Sequence, residues 1–176
     1  IGELKVKTLI ITHLSTIADD WITKTLKSQF PNNIIGQYDG RIRVDGDIVV
    51  GLIHSLNMPT IEIEINSKVK KFNPTDFFSR FGLIIYDETQ KFNTKQYSKM
   101  YSKAHAPYML GLSATPENCK FPKASFWGIG KPVISENIEG YHKESVSFTG
   151  NVHMLKYKGP PVYTRLICNS VGNFDY

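Results

Sequence analysis

The chain has little cysteine, no long apolar run and no phosphate-binding loop. Its two cysteines, Cys119 and Cys168, show no C-x-x-C spacing and argue against a disulfide framework. A reducing compartment is the simplest inference. The five histidines, His13, His54, His105, His142 and His153, have no metal-ligand spacing with cysteine, so no zinc site is assigned. No apolar stretch approaches the roughly 20 residues of a membrane-spanning helix. No signal peptide, internal repeat or low-complexity tract is visible. A G-x-x-x-x-G-K-[ST] segment, whose backbone N–H groups and lysine cradle phosphates, is also missing. Gly130-Lys131 does not qualify, because Pro132 follows it.

What is present reads as a globular α/β domain. With 176 residues and 41% hydrophobic content, the chain can build one sizeable core. A formal net charge of +5 favours a polyanionic partner. Strand-like runs alternate with helical or turn segments, as in a parallel sheet flanked by helices. The first strand spans Val6 to Thr12. Apolar residues at Ile17, Ala18, Trp21, Ile22 and Leu26 then form a helical stripe, capped by Ser15 or Thr16. Short strands follow near Ile34 to Gln37 and Ile48 to Leu52, and Pro74 to Arg80 reads as a short helix.

Two strand ends carry the chemistry. Phe81 to Tyr86 is an apolar run of the kind buried on both faces of a parallel sheet. It ends in Asp87-Glu88-Thr89-Gln90. Paired carboxylates at a strand's carboxyl end lie where ligands bind in open α/β sheets. One acid can hold magnesium through water, and the other can activate an attacking water. A second apolar strand, Tyr108 to Leu112, ends in Ser113-Ala114-Thr115-Pro116. Each sequence alone is an ordinary turn or helix cap. The ordered pair, each after its own strand, is far more specific.

These two segments resemble motifs II and III of superfamily 2 helicases. Lys7 to His13, followed by a helix with Trp21, is similar to motif Ia. Asp47 to Leu56 is similar to motif Ib. The nearest group is the helicases of large nucleocytoplasmic DNA viruses, related to those of excision repair and transcription initiation. Ile35 to Gly40 and Gly159 to Thr164 also fit that group. Gln90 departs from it, because histidine is usual there.

The resemblance implies a RecA-like parallel β-sheet flanked by helices, in a partial domain over residues 1–130. Residues 131–176 would be a linker toward a second RecA-like domain. We read the chain as an internal part of a longer, virus-encoded helicase. It would use ATP and Mg2+ and bind nucleic acid, with DNA favoured over RNA. Asp87 would hold magnesium through water, and Glu88 would activate the hydrolytic water. Gln90 would link the γ-phosphate to the second domain. Ser113 and Thr115 would transmit nucleotide state by bonding to the acid loop. Thr12, His13, Gly51 and Ser55 would hold one nucleic-acid strand. A non-catalytic binding domain with a decayed RecA-like core is the alternative.

Two features stand outside the motifs. Ile61 to Ile65 and Val69 to Phe72 alternate apolar and charged residues, as in an inserted β-hairpin. A loop at 66–68 would set Ile65 opposite Val69 and Glu64 opposite Lys70. The insertion would be a strand-separating or docking element, or more simply a surface ornament. Lysines 91, 95, 99 and 103 would form a basic stripe on one helix, read first as a solvated face.

Overall fold

A computed structural model describes residues 1–92, 94–115, 120 and 122–130 of the chain. Both cysteines and the 131–176 segment lie outside them, and so does the Gly159 to Thr164 resemblance. One eight-stranded sheet organises the described residues. Its strands are β1 (Thr8–Thr12), β2 (Ile35–Tyr38), β3 (Arg43–Val44), β4 (Ile48–Leu52), β5 (Ile61–Ile65), β6 (Lys68–Phe72), β7 (Leu83–Tyr86) and β8 (Tyr108–Gly111). Their spatial order is β6-β5-β3-β2-β4-β1-β7-β8. The sheet is mixed and mostly parallel. Only the β2–β3 and β5–β6 pairings among the described residues are antiparallel.

The central strands β1, β4 and β7 are buried along their whole length. Their side chains alternate between two apolar layers, following the period of two. Leu9, Ile11, Val49, Ile84 and Tyr86 face one layer, built with Phe77, Phe78, Phe81, Phe92, Met100 and Tyr101. Ile10, Val50, Leu83 and Ile85 face the other, built with Ala18, Ile22 and Leu26. Helices therefore cover both faces. In the first layer the Tyr86 hydroxyl donates to the carbonyls of Met100 and Ala104, at 3.3 and 3.0 Å. This satisfies the one polar atom of a fully buried ring, and burial pushes its pKa up.

The helical segment after β1 is not uniform. It comprises α1 (Ser15–Asp20), a π turn over Trp21–Leu26, and α2 (Lys27–Gln29). The expected cap at Ser15 or Thr16 is absent: Leu14 occupies the cap position and makes no side-chain cap bond. After β4 comes the single turn α3 (Ile53–Leu56). Helix α4 (Pro74–Phe78) is capped by Asn73, with Pro74 in the first turn. Asn73 Oδ1 accepts the Asp76 N–H at 2.9 Å.

Two further sequence expectations are corrected. The β5–β6 hairpin forms, but its register pairs Ile65 with Lys68 and Glu64 with Val69. The loop is the two residues Asn66 and Ser67, both with positive φ (50° and 59°). Such a turn matches the twist of the flanking strands. The shift places Glu62 opposite Lys71, where they form an ion pair at 2.8 Å. The lysine stripe is not on one helix either. Short 3-10 turns at Thr89–Lys91 and Tyr97–Lys99 precede α5 (Met100–Lys103). Burial of Phe92, Ser98, Met100, Tyr101 and Ala104 bends this path along the core. Lys103 turns to Asn57 Oδ1 at 2.8 Å.

Candidate functional site

The parallel register of β4, β1, β7 and β8 brings their carboxyl ends to one edge. Leu52 pairs with Thr12, and Ile11 with Tyr86. Tyr86 pairs in turn with Gly111. The residues that follow these strands therefore meet, and they are the ones the sequence marks.

Asp87 is the first residue beyond β7. Its N–H donates to the Ile11 carbonyl at 2.9 Å, which ties its backbone to β1. Its Oδ2 accepts the Trp21 indole N–H at 2.8 Å. Glu88 follows in the left-handed region, φ 55° and ψ 56°. A non-glycine residue there stores strain.

Gln90 joins the acid loop to the segment after β8. Its amide donates to Glu88 Oε2. Its Oε1 accepts the Ser113 hydroxyl at 2.6 Å. Ser113 Oγ in turn accepts the Thr115 N–H at 3.1 Å. The backbone repeats the link, with the Thr89 N–H donating to the Leu112 carbonyl at 2.9 Å. Glu88, Gln90, Ser113 and Thr115 thus form one continuous hydrogen-bonded chain across two strand ends.

The four residues expected to hold nucleic acid lie on the same edge but differ in access. Thr12 is fully buried, and its hydroxyl donates to the Leu14 carbonyl at 3.3 Å. Gly51 is buried within β4, where a Cβ would meet Leu56 Cδ1 at 2.7 Å. Packing thus accounts for that glycine. Ser55 is buried as well, whereas its neighbour His54 is exposed. His13 is half-buried, and its Nδ1 has no hydrogen-bond partner among the described residues. Burial and the Lys91 cation push its pKa down, against the opposing pull of Glu88 and Asp87. His13 therefore lies within the electrostatic reach of the acid loop.

Sequence reasoning missed one member of this edge. Trp21 reads as core by periodicity, yet it supplies a hydrogen bond to the first acid. The only available signal was that its indole carries an N–H that a half-buried ring must satisfy.

Among the described residues no group of three or more His, Cys, Asp or Glu could cage a metal ion. A magnesium ion on this edge would draw on one carboxylate, water and phosphate oxygens, which is its usual donor set. Asp87 fits that role, since one oxygen is fixed by Trp21 and no other hydrogen bond to its carboxylate occurs among the described residues. No helix of the described residues is long and apolar enough to cross a membrane.

Comparison with known proteins agrees with this geometry. Residues 2–118 match the family described as type III restriction enzyme, res subunit. A protein of African swine fever virus named an ATP-dependent RNA helicase is 26% identical over 177 residues, which is 96% of this chain and 31% of that protein. A protein of Acanthamoeba polyphaga mimivirus, likewise named an ATP-dependent RNA helicase, is 28% identical over 113 residues, 64% of this chain and 19% of its own length. The ATP-dependent DNA helicase RecG of Synechocystis is 41% identical over 39 residues, 22% of this chain and 5% of that protein. The chain thus spans about a third of the length of the swine fever virus relative. The carboxyl-edge acids stand on a mostly parallel sheet, and the matched stretch covers most of that sheet. The chain belongs to the type III restriction enzyme res-subunit family, the first RecA-like domain of superfamily 2 helicases, with homologues in large DNA viruses.

Proposed function

We propose that this chain is the acid-bearing half of a nucleic-acid-dependent ATPase that unwinds or moves along its substrate. The observation that carries the reading is the hydrogen-bonded chain from Glu88 through Gln90 to Ser113 and Thr115. It connects a hydrolytic acid to a neighbouring strand end without using the nucleotide, as a coupling device requires. Asp87 would hold magnesium through water, and Glu88 would take a proton from the attacking water. Bound magnesium would supply charge neutralisation at the phosphates. Gln90 and Ser113 would relay whether the γ-phosphate site is filled to a second RecA-like domain beyond residue 130. Nucleic acid would lie over the ends of β1 and β4, near His13, His54 and the backbone around Thr12, Gly51 and Ser55, bound through phosphate and sugar. The net charge of +5 favours such a partner. DNA is our preferred substrate class, although the viral relatives are named RNA helicases.

A second reading rests on Gln90, which stands where the helicases this chain resembles usually have histidine. A decayed core would then bind nucleic acid or protein without hydrolysis. One experiment separates the two. In the complete protein containing this chain, Glu88→Gln should lower ATP turnover by at least about a hundredfold while ATP binding persists, the scale for removing a positioned base. Absence of hydrolysis in the unaltered protein would favour the decayed core.

A further inference from the structure

We propose that Trp21 is a positioning residue for the Asp87 carboxylate, and that it makes metal binding at Asp87 depend on the helix following β1. The inference rests on the reading above, in which Asp87 holds a divalent cation. Trp21 and Asp87 are 66 positions apart in sequence, yet the indole Nε1–H lies 2.8 Å from Asp87 Oδ2. Both ends of Asp87 are then fixed by the same strand–helix unit. The backbone N–H is held by Ile11 of β1, and the carboxylate by the helix that β1 feeds.

The helix is locally rebuilt where this contact is made. Trp21 is the first residue of the π turn Trp21–Leu26. A π turn inserts extra chain into a helix and changes the phase of its side chains, and such turns recur at functional sites. Here Ala18, Ile22 and Leu26 stay in the core while Trp21 remains only partly buried beside them. The rebuilt turn thus serves a packed face and an aimed indole together. An N–H donor to a carboxylate is a charge-assisted bond, stronger and more directional than a neutral one. It leaves the second oxygen, Oδ1, without a hydrogen bond among the described residues, and this oxygen would be the one to take a metal-bound water. Trp21 also lies on the element that leaves the His13 loop, so a shift there moves the donor of the metal-holding acid.

The sequence holds two tryptophans, and the second, Trp127, is 83% exposed. The two indole N–H signals in a 15N-labelled sample of the full chain can therefore be assigned with Trp127→Phe. Manganese alone serves as the probe, because it is a hard cation with oxygen preference and broadens nearby signals. Manganese should broaden the Trp21 indole signal at lower concentration than that of Trp127. Asp87→Asn should move the Trp21 signal and abolish the selective broadening. Trp21→Phe keeps the ring and removes the donor. It should weaken manganese binding, read by water-proton relaxation, about tenfold, the scale of one charged hydrogen bond. A purely structural tryptophan would instead lower the melting temperature and leave the manganese affinity unchanged. Unchanged affinity in a folded Trp21→Phe variant, with binding lost in Asp87→Asn, overturns the positioning role alone. Retained binding in Asp87→Asn overturns the metal role of Asp87 and this inference with it. If Trp21→Phe does not fold, the Asp87→Asn sample decides: an unmoved Trp21 signal overturns the contact, and a moved one upholds it.

Discussion

The two ends of the same parallel strands carry two polar clusters of opposite design. At the amino ends, Lys7 precedes β1, Asp45 precedes β4 and Arg80 precedes β7. Lys7 pairs with Asp45 at 2.8 Å, and Arg80 donates to the same carboxylate. The guanidinium also lies over Phe72, 4.9 Å from the ring centroid, and within reach of Phe77 and Phe81. Opposite charges meet directly here, and aromatic rings cover them. At the carboxyl ends, the side-chain donors to the two adjacent acids among the described residues are neutral, Trp21 and Gln90. Glu88 sits in a strained backbone, and His13 Nδ1 has no partner among the described residues. A cluster of the first kind holds elements together. One of the second kind keeps charge unneutralised and ready for a cation or a proton. On the proposed function, the difference divides stability from chemistry along one sheet.

The largest expected effect lies at the amino edge. Asp45→Asn would leave Lys7 and Arg80 without their shared counter-charge. The loss in unfolding free energy by urea titration should be about 3 kcal/mol, the low end for breaking a buried pair because Lys7 keeps 28% of its side-chain surface exposed. A loss under about 0.5 kcal/mol, as for a surface ion pair, would remove the contrast.

A smaller effect should appear at the junction of the acid loop with β8. Ser113→Ala removes both the bond to Gln90 and the one accepted from the Thr115 N–H, and Thr115→Ala takes away the neighbouring hydroxyl; the two bonds are worth at most a few kcal/mol. In the complete protein, basal ATP hydrolysis should stay within about tenfold while strand separation or translocation is largely lost, since a bias of that size shifts a two-state equilibrium. Equal loss of both activities, or an unfolded variant by melting curve, would return these hydroxyls to a structural role.

The smallest effect concerns pH. His13 has its folded pKa pushed below the ordinary 6.5 by burial and Lys91. Below 6.5 the unfolded chain binds the proton first, so stability falls as pH drops from 6.5 through the lowered folded value. Above 6.5 the group contributes no slope. His13→Gln should flatten this part of the stability–pH curve. An unchanged slope would mean that the ring is solvated and not set against the acid loop.

Much of this was legible in the sequence, and the parts that were not have physical reasons. The β7 strand and the acids after it stand out because a fully buried strand reads as an apolar run that carboxylates interrupt, whereas β8 is equally apolar in sequence yet, as the edge strand, leaves Tyr108 and Leu110 exposed. Thr12 and Ser55 lie near the ends of β1 and β4, but their burial is not visible in the sequence, since a short polar residue looks alike whether it caps a turn or faces a ligand. The β5–β6 register was misjudged by one because Asn66 and Ser67 both take positive φ, and serine gives little hint of that. The four-residue lysine spacing fits a helix, yet the core contacts of Phe92 and Tyr101 overrode it. Strand β3 has two residues and carries no periodicity at all. Trp21 was hidden because hydrophobic patterning counts its ring and not its N–H.

The most direct test measures both axes on two variants of the complete protein. Melting temperature and nucleic-acid-stimulated ATP turnover are compared for Asp45→Asn and Glu88→Gln. The account predicts that Asp45→Asn lowers the melting temperature and, at a temperature where it is folded, turns over ATP within about tenfold of the unaltered protein. Glu88→Gln should melt within about 1 kcal/mol of the unaltered protein, because relieving like-charge crowding costs nothing, yet lose at least about a hundredfold in turnover. Near-normal turnover in Glu88→Gln, or a loss of stability there as large as in Asp45→Asn, would contradict the division of the sheet into a structural and a working edge.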